Sequence, residues 1–406
     1  MPSIAIIGAG IIGSSTAYQL ATLLHQRNKA NDTTITLIEG SFIAAGASGK
    51  AGGLLALDWH GPDTANLAAL SYNLHASLAS EHSGASRWGY RKLDTLSISA
   101  DLSSSSASSS PAAKPRASKL KHADLFPWLN KDVLRGSEVL GSTDTTSQVH
   151  PEQFTKAMVE LAQEKGVKVV YGTVEGLTKP ASLGAEPYTL TISSRDDPNS
   201  TSTLSADQIV VCAGPWTGQL LETLGIEDRA AGRAKAIRGS RAHSVVLKTA
   251  QGRELPAQAV FTSIKTKGGH AEPEIYNRPD GTSYCCGPTD SSPLPTHASQ
   301  VTTSPTSISQ LLHQTAQLAP RYLDTENKEE GGKYKATVER EQACFLPVES
   351  GDPVIGRVEG EGGRGVWVGS GHSCWGICNG PGTGLVLAEM LLDGKAKSAN
   401  VDALAP

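Results

Sequence analysis

Near the start of the chain, unbroken apolar runs at residues 4–7 and 35–38 flank a stretch, 11–24, whose apolar positions recur at helical spacing. Short apolar runs bounded by turn residues read as strands buried on both faces, so this unit reads strand, helix, strand. Polar residues at 27–33 form the connection, and Glu39 ends the second strand. Further along, 151–164 has helical spacing and 168–171 and 207–211 are again short apolar runs. Residues 366–392 pass from strand through glycines into helix. Between 222 and 340, short strand candidates mix with Gly, Pro and Thr, the pattern of antiparallel sheet. The expectation is an α/β fold with a discontinuous Rossmann-like nucleotide domain drawn from residues 1–75, 151–221 and 341–406. An α+β domain on a mainly antiparallel sheet, from 76–150 and 222–340, is inserted into it. Residues 101–118, dominated by Ser, Ala and Pro, cannot bury enough apolar surface to offset their ordering entropy and read as a mobile surface loop.

Composition narrows the partners. The 406 residues carry 36 Lys and Arg against 40 Asp and Glu, a net charge of -4, so there is no basic footprint for nucleic acid. No apolar run reaches the roughly 18 residues of a membrane span. Met1-Pro2-Ser3 enters the first strand without a positively charged region, and the C-terminus is not of the S-K-L type, so neither secretion nor a peroxisomal address is expected. The six cysteines show no C-x-x-C pair and read as free thiols in a reducing compartment, with the cytoplasm as the default. No metal cluster suggests itself, and the oligomeric state is not readable from the chain.

Gly8-Ala9-Gly10-Ile11-Ile12-Gly13 fits G-x-G-x-x-G between a strand and a helix. The first glycine permits the tight turn, the second lets backbone approach a pyrophosphate, and the third allows close packing of helix on strand. The pyrophosphate then meets the free N–H groups of the helix N-terminus. Glu39, followed by Gly40, can accept hydrogen bonds from ribose hydroxyls and would repel a 2′-phosphate. At this point NAD and FAD both remain open.

Three further segments decide between them. One is Ala45-Gly46-Ala47-Ser48-Gly49-Lys50-Ala51-Gly52-Gly53-Leu54, and another is the turn Cys212-Ala213-Gly214-Pro215-Trp216. The third is Gly369-Ser370-Gly371-His372-Ser373-Cys374-Trp375-Gly376-Ile377, followed by Pro381-Gly382-Thr383-Gly384. In this order they resemble the D-amino-acid oxidase superfamily of FAD enzymes, its glycine oxidase and sarcosine oxidase branch in particular. Both ends of the chain and the central turn carry the resemblance, while the middle is poorly matched. It implies that Ser48, Gly49, Lys50, Ala51, Gly52, Gly53 and Leu54 run along the pyrophosphate and flavin. It further implies that Val174 meets adenine through its backbone, that Ala213 and Gly214 pass near the pyrophosphate, and that Trp216 opens the next helix. Gly371 to Ile377 would wrap the pyrimidine end of the flavin, with a helix N-terminus around Gly382-Thr383-Gly384 favouring charge on it.

The chain departs from that family at the substrate end. Where glycine oxidase-like members hold the substrate carboxylate with an arginine, the matching position is Leu346, leaving Arg238 and Arg241 as possible replacements. Where sarcosine oxidase-like members carry an oxygen-promoting lysine, Thr282-Ser283-Tyr284-Cys285-Cys286-Gly287 has none, leaving Lys50 or Lys265. Cys344 lies near the position at which those enzymes attach flavin, although a buried apolar thiol and non-covalent FAD are expected here. Arg278 reads as turn chemistry, His372 as packing, and Tyr276 and Tyr284 as pocket residues. His60, in Asp58-Trp59-His60, is a candidate proton acceptor.

The expected activity is oxidation of a C–N bond in a small primary or secondary amine or amino-acid derivative, with hydride passing to flavin and oxygen giving hydrogen peroxide. A flavin dehydrogenase with another acceptor, and a flavin-bound regulatory or scaffolding protein with little turnover, are the alternatives. An NAD-dependent dehydrogenase would leave the C-terminal glycine loop unexplained.

Overall fold

The computed structural model describes residues 1–103, 122–180, 186–197, 199–250, 253–349, 351–360 and 363–406. The Ser-rich segment expected to be mobile lies, from residue 104 onward, outside the described residues.

One eight-stranded sheet carries the nucleotide unit. At its centre Lys168–Thr178, Thr34–Glu39, Ser3–Ile7, Gln208–Val211 and Gly365–Ser370 pair in parallel, in that spatial order. The antiparallel strands Tyr188–Ser194 and Thr201–Ala206 extend one edge, and Val354–Glu359 closes the other. Ser3–Ile7 is the midpoint, so the chain leaves its C-terminal end where the strand order reverses, the usual crevice for a ligand in an open α/β sheet.

Helix α1 (Ile11–Gln26) packs on this sheet and is buried even at Ser14, Ser15 and Thr16. The cause is a second layer: α4 (Gly376–Asp393) crosses it so closely that a Cβ on Gly384 would lie 2.5 Å from the backbone of Ser15. Helices α2 (Pro62–Glu81) and α3 (Pro151–Glu164) complete the same core through Leu67, Tyr72, Phe154 and Met158.

The second eight-stranded sheet runs Thr337–Val348, Arg238–Lys248, Thr282–Asp290, Glu274–Asn277, Gln258–Thr266, Asp94–Asp101, Leu134–Gly141, with Gly269–Ala271 pairing off this path. All its pairings are antiparallel except Gln258–Thr266 with Asp94–Asp101. Leu96, Val245, Ile275, Cys285, Ile308 and Leu311 fill its own core. Two expected boundaries move. Residues 341–348, grouped with the nucleotide unit from sequence, pair with Arg238–Lys248 in the second sheet because their strand continues unbroken from Thr337. Leu78, Ala79 and Trp88, grouped with the inserted unit, pack into the nucleotide core as the end and continuation of α2. A small three-stranded sheet, Leu54–Ala56, Thr146–Gln148 and Arg91–Lys92, ties the halves together. Among the described residues no helix is long and apolar enough to cross a membrane.

Candidate active site

The phosphate end is built at the N-terminus of α1. Gly8 has φ +108, and a Cβ on Gly13 would stand 1.9 Å from the Gly8 carbonyl oxygen, so only glycine lets the loop fold back against the helix. The Ala9 N–H donates to Glu39 Oε2 and the Ser41 N–H to Glu39 Oε1, each at 2.8 Å. The carboxylate therefore joins the glycine loop to the end of the second strand. Burial pushes the Glu39 carboxyl up, and these two N–H groups pull it down. Ser48 Oγ accepts the Ile11 N–H at 2.9 Å, bringing the second glycine segment onto the helix end.

From here a cavity of about 550 Å³ extends past Val174, Ala213 and Trp216 to Lys50, Tyr276 and Trp375. That volume is typical of a small-molecule or cofactor site. At its far end the second sheet meets Lys50 to Leu54. Tyr284 Oη donates to the Lys50 carbonyl at 2.9 Å, and the Tyr276 ring lies so near that a Cβ on Gly52 would come within 2.6 Å of it. Lys50 Nζ donates to the Ala343 carbonyl at 2.9 Å, and burial lowers its pKa. Behind the segment, the buried Arg278 donates to the Ala51 carbonyl at 3.1 Å and lies over the Tyr284 ring at 5.1 Å. Arg278 thus anchors the Lys50-to-Leu54 segment as well as shaping its own turn.

Helix α4 contributes its N-terminus. Gly376 and Ile377 line the cavity and open the helix, whereas the sequence placed that opening at Gly382-Thr383-Gly384. Pro381 looks like a start signal but sits inside the helix. Its missing N–H would leave the Ile377 carbonyl orphaned. His75 Nε2, from α2, donates to that oxygen at 2.9 Å. Ser71 Oγ donates to the Cys378 carbonyl at 2.6 Å and accepts the Gly382 N–H at 3.0 Å, standing in the next gap. Two side chains of α2 thereby carry the helix across its proline.

Of the sequence candidates, Gly8, Gly10, Ile11, Ile12, Glu39, Gly40, Ser48 and Lys50 through Leu54 line the one cavity. So do Val174, Ala213, Gly214, Trp216, and His372 through Ile377. Gly13, Gly49 and Gly371 do not line it; they shape the loops from behind. Tyr276, Tyr284, Cys344 and Leu346 line it as well. His60 does not; its ring packs at 4.3 Å against Trp375. Arg241 is taken by Asp290 Oδ2 at 2.8 Å, Arg238 by the Lys235 and Ile237 carbonyls, and Lys265 is exposed. The expected replacements for the carboxylate-binding arginine are therefore elsewhere, and no arginine lines the cavity among the described residues. The sequence reading missed Glu274 and Phe261, which both line it. Glu274 could have been found: it stands two residues before Tyr276 on one strand and so shares its face.

These residues fit FAD. The cavity joins the Glu39 carboxylate and a helix N-terminus to a wall of aromatic residues. At the flavin end His372 Nδ1 is buried without a partner among the described residues, its Nε2 lying 2.9 Å from Thr383 Oγ1, and burial pushes its pKa down to about 3. Among the described residues no three or more His, Cys, Asp or Glu side chains gather into a group that could hold a metal ion.

Comparison with known proteins agrees with this geometry. Residues 3–390 match the family described as FAD dependent oxidoreductase. The chain is 36% identical over 415 residues to a Schizosaccharomyces pombe protein named as an oxidoreductase, C1F5.03c, covering 100% of this chain and 97% of that one. It is 29% identical over 523 residues to the Saccharomyces cerevisiae protein TDA3, also named as an oxidoreductase, covering 99% and 94%. Among solved structures, glycine oxidase from Geobacillus kaustophilus superposes with a TM-score of 0.70 at 18% identity, covering 100% and 98% of the two chains. L-proline dehydrogenase from P. horikoshii superposes at 0.70 with 16% identity, covering 100% and 96%. At such identities these structures speak for the shared fold.

Proposed function

The chain belongs to the FAD dependent oxidoreductase family, and on that premise we propose that it oxidises the C–N bond of a small primary or secondary amine or amino-acid derivative, with oxygen as the electron acceptor. The observation that carries this reading is the chemistry of the cavity's far end. Its wall is aromatic, with Phe261, Tyr276, Tyr284 and Trp375, and its thiols are not nucleophiles. Burial pushes Cys344 up to about 11 and raises Cys286 and Cys374, so all three stay protonated near neutral pH. FAD, when bound, supplies the acceptor for the hydride leaving the carbon beside nitrogen.

The chain's own residues do the holding and orienting. Glu39 and the Gly8-to-Gly13 loop hold the adenosine end, and Ser48 and the N-terminus of α1 the pyrophosphate. Lys50 to Leu54, pinned by Tyr284 and Arg278, form one wall at the flavin end, and the N-terminus of α4 favours negative charge there. The aromatic wall excludes water from the reacting carbon. The names of the glycine oxidase and of a further structural neighbour, iminodiacetate oxidase from Chelativorans sp., support amine nitrogen next to the oxidised carbon. Lys50, a cavity cation with no carboxylate partner among the described residues, supports oxygen as the acceptor.

A second reading keeps the amine and replaces oxygen with another acceptor. It is favoured by the lack of any lysine in Thr282–Asp290 and by the name of the L-proline dehydrogenase. Mixing purified protein with a panel of amines and amino acids without air tests both. The expected result is loss of the flavin absorbance with an amine, then its return with hydrogen peroxide when air is admitted. Bleaching that air does not reverse would favour the second reading, and no bleaching at all would remove both.

A further inference from the structure

Resting on the amine-oxidation reading, we infer that Glu274 receives the substrate's ammonium group and accepts its proton, so that the enzyme's substrates are cationic amines without an α-carboxylate. Two acids line the cavity among the described residues, Glu39 and Glu274. Glu39 is committed to the adenosine end by Ala9 and Ser41. Glu274 stands at the other end, between Phe261 and Cys286 in the sheet register. Its Oε2 accepts from Tyr276 Oη, and from Cys286 Sγ at 3.4 Å. Its Oε1 takes no hydrogen bond from any described residue, and no described cation lies within ion-pair distance of the carboxylate. A part-buried carboxylate beside an aromatic wall, with one oxygen open to the cavity, suits a cation.

The neighbours suit one. The rings of Trp375, Trp59, Phe261, Tyr276 and Tyr284 form an unbroken series of edge-on and tilted contacts, with centroids 5.3 to 6.3 Å apart. Four of them line the cavity, and aromatic walls beside a carboxylate are the chemistry that recognises ammonium groups. A substrate carboxylate has no such welcome. Among the described residues the cavity offers it no arginine, and Glu274 would repel it.

Burial raises the Glu274 carboxyl above the usual range, with Tyr276 and Cys286 opposing and Glu272 adding to the rise. Tyr276 and Cys286 are themselves pushed well up, and Cys374, also beside Glu274, is raised, so these three neighbours remain protonated. Among these four groups Glu274 is the carboxylate and so the acceptor for a proton. The step balances: the ammonium N–H gives its proton to Glu274, freeing the nitrogen lone pair. That pair forms the C=N bond as the neighbouring carbon loses hydride to the family's cofactor. Water hydrolyses the resulting iminium to a carbonyl compound and the released amine, and Glu274 returns its proton to solvent.

The test compares phenethylamine with phenylalanine, a pair differing only by the carboxylate, on FAD-loaded protein and on its E274Q and E274D forms. Wild type should bleach at least about tenfold faster with the amine. E274Q should slow amine bleaching by about a hundredfold, within the range of lost acid–base catalysis, and E274D should recover part of it. Independently of turnover, calorimetry should show benzyltrimethylammonium binding about tenfold more weakly to E274Q than to wild type. Equal bleaching by phenylalanine, or equal cation affinity in E274Q, would overturn the assignment. If neither compound bleaches the flavin while the cation still needs Glu274, the oxidation reading falls and the cation site stands.

Discussion

Glu39 and Gly52 illustrate how single side chains, or the lack of one, set the cofactor site. Glu39 accepts from two backbone N–H groups in different segments, so E39A removes both links as well as the acceptor offered to a ribose. Hydrogen bonds to a charged group contribute about 1.5–3 kcal/mol each, so FAD should bind to E39A at least about tenfold more weakly, measured by titrating the apoprotein with FAD. G52A should place a methyl 2.6 Å from the Tyr276 ring and force the flavin segment or the tyrosine to move. Overpacking of this kind costs about 1–3 kcal/mol, and the melting temperature of the FAD-loaded protein should fall accordingly. These roles differ in how far the chain discloses them. Gly8 to Gly13 and Glu39 are legible because their spacing is itself the mechanism. Glu274 is legible only through Tyr276, two residues on along the same strand, and its pairing with Phe261 and Cys286 then places it at the cavity.

At the level of elements, α2 and α4 act as one unit. His75 and Ser71 supply the hydrogen-bonding groups that Pro381 denies its own helix, and the end they support opens onto the cavity at Gly376 and Ile377. H75Q keeps a donor, whereas H75A leaves the Ile377 carbonyl unsatisfied and should destabilise the protein by about 1–3 kcal/mol in urea unfolding. The same histidine carries a pH dependence. Burial pushes its pKa down to about 4, against about 6.5 in the unfolded chain. Between these values the unfolded state binds the proton that the folded state refuses. Stability is therefore whole above about pH 6.5 and declines on acidification to about pH 4, by roughly 3 kcal/mol from this residue. H75Q should flatten that part of the profile, and an unchanged slope would remove His75 as its cause. The helix itself was legible from the sequence, but its beginning was not. Pro381-Gly382 has the form of a start signal, and the side chains that override it lie on another helix, out of reach of local pattern.

For the whole molecule, the parallel sheet was legible because strands buried on both faces leave short apolar runs, as at Ser3–Ile7 and Gln208–Val211. The hairpin of Tyr188–Ser194 and Thr201–Ala206 left no such trace, since Thr and Ser dominate it and the outer strand is largely exposed. The division into two halves was readable in outline, and the displaced boundary at 341 reflects a strand whose solvent-facing start is polar. Where the halves meet, Arg278 reaches from the second sheet to the Ala51 carbonyl of the flavin segment. R278M should leave each sheet folded yet loosen that segment, raising the rate at which FAD dissociates, followed by recovery of flavin fluorescence on dilution. These features support the proposed role of the cavity, holding FAD for oxidation of an amine. Its most direct test is the absorbance spectrum of the purified protein during anaerobic addition of phenethylamine. The expected result is a flavin spectrum that bleaches with one equivalent of amine per bound FAD. A flavin spectrum left unchanged by this and every other amine would contradict it.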